Sequence, residues 1–114
     1  MHAFDVLADP VRREILQALS RDEKTSGEIV SLIHSRFGIS QSAVSQHLKV
    51  LRDNGFAQVS VEGTRRRYII DAAGFEEVNH WMAQFASLWA PRLDALATEV
   101  ARGKRRLARK QDRD

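Results

Sequence analysis

With 114 residues the chain suffices for one small domain and not for two. A hydrophobic share of 43% supports a folded core; the lack of cysteine excludes disulfides and thiolate metal sites, and no apolar run approaches the roughly 18 residues that span a bilayer. The net charge of +3 divides unevenly: residues 102–114 sum to +5 and the other 101 to −2, so a case for an anionic partner must rest on local clusters.

The opening Met1-His2-Ala3-Phe4-Asp5 has neither the basic nor the apolar region of a signal peptide, and the expectation is a cytoplasmic protein. Residues 3–8 form a short first helix with Phe4, Leu7 and Ala8 apolar. Asp9-Pro10 restarts the chain, Asp9 as N-cap and Pro10 at the first helical position. Val11, Ile15, Ala18 and Leu19 make the buried stripe of this second helix, and Arg21-Asp22-Glu23-Lys24 is a polar connection. Thr25 and Glu28 have capping-box spacing and open a third helix with Ile29, Leu32 and Ile33 on its apolar side. Gly38 stops that helix, and Ser40 caps the next.

Two helices joined by a short glycine-containing turn make a helix-turn-helix. Its second helix carries Val44, Leu48 and Leu51 on one stripe and Gln41, Ser42, Ser45, Gln46 and Lys49 opposite. No carboxylate occurs between residues 29 and 52. A face of amides, hydroxyls and cations suits base edges and the phosphates around them. Asn54-Gly55 ends the helix. Phe56 to Glu62 alternates as a strand, Gly63-Thr64 turns, and Arg65-Arg66-Arg67-Tyr68-Ile69-Ile70 returns. A hairpin after a helix-turn-helix is a wing, and three arginines at its tip place charge where a wing meets DNA backbone. Strand alternation keeps the three from pointing one way, and Arg66 or Arg67 can instead pair with Glu62 across the hairpin.

From about Ala73 to Arg102, Phe75, Val78, Met82, Phe85, Trp89, Leu93, Leu96 and Val100 recur at spacings of three and four. This is more apolar surface than one helix needs on a small body, and it suggests a protein partner. Pro91 is expected to kink or restart the helix near Trp89-Ala90. The fold expected is mostly α with a small β-hairpin, a winged helix-turn-helix over residues 1–101 followed by a basic, unstructured tail at 102–114. His47, between Val44 and Leu48, is either a half-buried packing residue or a contact to base or phosphate. Glu76 and His80, four apart, make at most half a metal site and otherwise a surface ion pair. The sequence offers no Gly-rich phosphate loop and no nucleophile–base set, so an enzyme is not expected.

Asp9 to Leu16, Ser40 to Gly55 and Glu62 to Tyr68 together resemble the ArsR family of bacterial winged helix-turn-helix repressors. Trp81, Phe85, Trp89, Arg92, Leu93 and Leu96 resemble the dimerisation helix of its metal-independent branch. The likeness spans roughly residues 3–100, and its most specific piece is Ser-Gln-Ser-Ala-Val-Ser-Gln-His-Leu-Lys-Val-Leu. It implies a homodimer built from the first and last helices, here Phe4, Leu7, Phe75, Val78, Met82, Phe85, Trp89, Leu93 and Leu96, binding double-stranded operator DNA. Carried over by position, Gln41, Ser42, Ser45, Gln46 and His47 face bases, Lys49 and Arg52 lie nearer phosphates, and Arg65, Arg66 and Arg67 fall in the wing.

The chain departs from the family pattern twice. Metal-sensing members place cysteines on the third helix or paired ligands on the last one. This chain has no cysteine and only His80 with Glu76 and Glu77 there, so neither metal nor cofactor is expected. The stretch from Ile29 to Gly38 is about four residues longer than usual, one added helical turn. The sequence names no small-molecule effector. A winged-helix protein-interaction module that binds no nucleic acid is the alternative function.

Overall fold

The computed structural model describes residues 1–112, with side chains over 1–88 and 91–103. The elements are α1 (Ala3–Leu7), α2 (Pro10–Arg21), β1 (Lys24–Thr25), α3 (Ser26–Phe37), α4 (Gln41–Asp53), β2 (Ala57–Glu62), β3 (Arg65–Ile70), α5 (Ala73–Ala83) and α6 (Ala86–Asp112). They divide into two units, residues 1–79 and 80–114.

The first unit is a winged helix-turn-helix. Each helix start has its local cause. Asp9 accepts from the backbone N–H groups of Val11 (2.8 Å) and Arg12 (3.2 Å), with Pro10 behind it. Thr25 and Glu28 close a reciprocal capping box on α3. Ser40 accepts from Ala43 at the start of α4. Gly38 adopts φ +68° and returns its N–H to the His34 carbonyl, ending α3 in a left-handed cap. Gly63, at φ +62°, is the first residue of the tight wing turn, and Thr64 after it stays at negative φ, as a type II′ turn requires.

Val6, Ile15, Ile29, Ile33, Val44, Leu51 and Phe56 are fully buried and form the centre of the core. The sheet adds Ala57 and Tyr68. Gly74 admits the Phe56 ring so closely that a Cβ there would stand 2.6 Å from it, while its N–H donates to the Gly55 carbonyl. A larger residue at 74 must displace that ring.

The structure adjusts two expectations, the number of strands and the place of the C-terminal break, and adds detail at two other places. The sheet has three strands in the order β1-β3-β2, all antiparallel, because Lys24 and Thr25 pair with Tyr68 and Arg67. In α1 the buried side is Ala3 and Val6; Leu7 is half-buried and Phe4 is exposed. Phe75 and Val78 are half-buried and pack against the core of their own unit, Phe75 edge-on to Phe56 with centroids 4.9 Å apart. The long C-terminal segment breaks at Gln84-Phe85 rather than at Trp89-Ala90. There Gln84, Phe85 and Leu88 donate to carbonyls three residues back, and Pro91 lies inside α6. Three-residue bonding tightens the backbone and ends α5 before the proline is reached.

In the second unit, the Trp81 and Phe85 rings meet with centroids 4.9 Å apart and planes tilted by 55°. Leu88, Leu93, Leu96 and Val100 are 52–67% exposed, and Met82 is half-buried. Trp89 lies outside the described side chains. The segment 102–114, expected as an unstructured tail, continues the α6 backbone to Asp112; its side chains from Lys104 onward lie outside the described residues.

Candidate nucleic-acid interface

The exposed face of α4 is set by its buried one. Val44, Leu48 and Leu51 are at most 2% exposed and fix the rotation of the helix about its axis. Gln41, Ser42, Ser45, Gln46 and Lys49 then stand in solvent, as the sequence predicts. Ser40, Gln41, Ser42, Ser45 and Gln46 line one shallow surface depression. Ser42 Oγ lies 3.1 Å from Ser40 Oγ, close to the helix cap.

A polar groove of about 380 Å³ runs beside it. Gln41, Ser45 and Leu48 of α4 form one wall, Ser26, Gly27, Val30 and Ser31 of α3 another, and Arg66 and Tyr68 of β3 the third. Arg66 reaches it because it shares a face of β3 with the buried Tyr68, two residues on. Ser26 and Ser31 were not singled out from the sequence. Their position beside Gln41 depends on how α3 crosses α4, which residue spacing does not reveal.

The wing arginines have separate situations. Arg65 and Arg66 are exposed and line a second groove with Thr25, Ser26, Gly27, Glu28 and Thr64. Arg67 is half-buried, its Nη1 3.2 Å from Glu23 and its Nε 3.3 Å from Glu62. These bonds tie the hairpin to the segment before β1 and partly neutralise Arg67. Arg67 is thus the arginine that takes the cross-hairpin pairing with Glu62.

His47 and Arg52 also stand apart from the exposed face. His47 is half-buried, with Nδ1 3.4 Å from Nη1 of Arg12. Arg52 is half-buried as well, and its Nε is shielded from solvent with no hydrogen-bond partner among the described residues.

Three carboxylates are held below their usual range by the local fold. Burial pushes Asp9 up, but the backbone N–H groups of Arg12 and Val11, with His47 and Arg12 nearby, outweigh it. Glu28 is lowered by the Thr25 backbone N–H and hydroxyl. Asp71 is lowered by the Ala73 N–H and the Gln58 amide. None of the three lies on the exposed face of α4. Among the described residues, no group of three His, Asp or Glu side chains is placed to hold a metal ion.

This arrangement has counterparts among known proteins. Residues 9–59 match the model of the bacterial regulatory protein arsR family. The crystal structure of an ArsR family transcriptional regulator superposes with a TM-score of 0.64 at 31% identity, over 77% of this chain and 87% of that one. The chain belongs to the ArsR family. It is therefore a member of a family of DNA-binding transcriptional regulators, not of enzymes, and its helix-turn-helix and wing are the family's DNA-binding fold. A probable mercury resistance operon repressor of Streptomyces lividans is 43% identical over 67 residues, 59% of this chain. The chain spans about half the length of that relative, 50%. The solution structure of a homodimeric winged helix-turn-helix domain from Mycobacterium bovis, a possible ArsR-family regulator, superposes with a TM-score of 0.53 at 27% identity, over 87% of this chain and 74% of that one. No helix among the described residues is long and apolar enough to cross a membrane.

Proposed function

We propose that this protein is a cytoplasmic transcriptional repressor that binds a palindromic DNA operator as a symmetric homodimer. The observation that carries the reading is the acid-free face of α4, with Gln41, Ser42, Ser45 and Gln46 exposed in a row and Arg66 across the adjoining groove. Amides and hydroxyls there make hydrogen bonds to base edges in the major groove, where each base pair has its own donor and acceptor pattern. Two such helices, one per subunit, enter successive major grooves about 34 Å apart, and the wings brace on the flanking backbone. Repression follows from occluding polymerase and involves no bond-making chemistry, metal or cofactor.

The subunit contact uses the apolar side chains that the fold leaves exposed: Phe85, Leu93 and Leu96 of the second unit and Phe4 of α1. Phe75 and Val78 contribute indirectly, through the core they complete. Residues 1–101 carry DNA binding and dimerisation, with the basic 102–114 segment beyond them.

Selection of bound duplexes from a random pool tests the proposal. A palindromic consensus with half-sites about 10 base pairs apart is expected. A pool from which no DNA is retained at low salt contradicts it and favours the protein-interaction module. Operator affinity is expected to fall steeply with salt, as phosphate neutralisation requires.

A further inference from the structure

Arg12 lies off the DNA-reading face, yet it touches three helices. Its Nε donates to the Val6 carbonyl at 2.8 Å and its Nη2 to the Asp5 carbonyl at 2.9 Å, both in α1. Its Nη1 stands 3.8 Å from the Asp9 carboxylate at the start of α2 and 3.4 Å from His47 Nδ1 in α4. The side chain is only 13% exposed.

The chemistry of this junction follows from the length of α1. A five-residue helix leaves its late carbonyls without intrahelical partners. A planar guanidinium has five donors in a fixed fork and can satisfy two carbonyls while keeping a donor for a third direction. That third direction is the imidazole of His47. Nδ1 accepts when the ring carries its proton on Nε2.

His47 follows Gln46 directly and sits on the flank of α4, between the buried stripe and the exposed face. Holding His47 therefore adds a directional polar tie to the rotation that Val44, Leu48 and Leu51 set by burial, and so refines where Gln41, Ser45 and Gln46 point. Hydrogen bonds to base edges weaken steeply once their angles are lost. We propose that Arg12 is a positioning residue for DNA reading, tying the recognition helix to the end of α1 through His47. The inference rests on the reading of α4 as the DNA-reading element. It assigns His47 to the scaffold, in place of the base contact that the family resemblance implies.

A double-mutant cycle on the selected duplex tests it, with affinity read by fluorescence anisotropy over a range of salt and folding read by thermal melting. Arg12→Lys and His47→Leu are each expected to weaken operator affinity about five-fold, the scale of one lost hydrogen bond. The double variant is expected to be no weaker than the worse single one, because both changes break the same contact. His47→Gln, whose amide oxygen can accept from Arg12, is expected to stay near wild type. The salt slope is expected to be unchanged throughout.

Losses that multiply in the double variant overturn the proposal, as do wild-type affinities in both single variants. A salt slope shallower by about one per His47 replaced also overturns it, since His47 would then contact phosphate. Should Arg12→Lys fail to fold, His47→Leu against His47→Gln decides alone: equal affinities overturn the proposal. A wild-type protein that binds no duplex brings down the DNA reading and this inference with it. Negative variants on a wild type that binds remove only the role of Arg12.

Discussion

In α4 the apolar stripe of Val44, Leu48 and Leu51 is at most 2% exposed; in α6 Leu93, Leu96 and Val100 of the apolar stripe are 52–61% exposed. The two helices have similar amphipathic patterns. The first unit surrounds its stripe with α2, α3 and the sheet, whereas the α6 stripe remains open to solvent in the single chain. An apolar pattern thus states that a face must be covered and does not state by what. In α4 the covering comes from the same chain, which fixes the polar face outward. In α6 a second subunit is the proposed cover.

The largest expected effect falls on the buried side of this contrast. Leu51→Ala is expected to cost about 2–5 kcal/mol of stability, measured by urea unfolding, because it opens a cavity in a closed core. Leu93→Ala together with Leu96→Ala is expected to leave the first unit folded. It would instead raise the dimer dissociation constant at least about tenfold by sedimentation, since each buried leucine is worth about 1.5–3 kcal/mol. An unchanged monomer–dimer balance would break the comparison.

On the polar side, Ser45→Ala and Gln46→Ala are each expected to cost about 1–3 kcal/mol on the selected operator and much less on random DNA. Equal losses on both duplexes would remove them from base reading. Arg66→Ala is expected to weaken binding to all sequences and to reduce the salt slope by about one per subunit. Arg67→Ala is expected to do less, because Glu23 and Glu62 already hold its charge.

The smallest effect is a pH dependence of stability. Asp9, Glu28 and Asp71 bind protons less readily folded than unfolded. Their contribution is complete above the ordinary carboxylate range and is lost as the pH falls through their depressed folded values. The urea midpoint is expected to decline between about pH 5 and about pH 2, and less steeply in Asp9→Asn. A midpoint that rises with acid would contradict this.

The sequence showed much of the DNA-binding half because its signals there are local. Asp9, Thr25, Ser40, Gly38 and Gly63 act within a few residues of themselves, and the structure uses each in the expected role. The face of α4 followed from helical spacing alone. What escaped the sequence is non-local. β1 is two residues long, too short for any periodicity, and exists because β3 offers it an edge. The Arg12–His47 contact joins residues 35 apart. Phe75 continues the apolar spacing of the C-terminal segment, yet Phe56, nineteen residues earlier, claims it for the core. Pro91 is a helix breaker by residue type yet lies inside α6, while the break at Gln84-Phe85 comes from backbone hydrogen bonds that no residue type announces.

Gln46→Glu tests the central claim most directly. It exchanges an amide for a carboxylate of nearly the same shape on a face that has no acid. Anisotropy titration of the selected operator is expected to show affinity reduced about ten- to hundred-fold, with the melting temperature unchanged. Operator affinity equal to wild type in that variant would contradict the account.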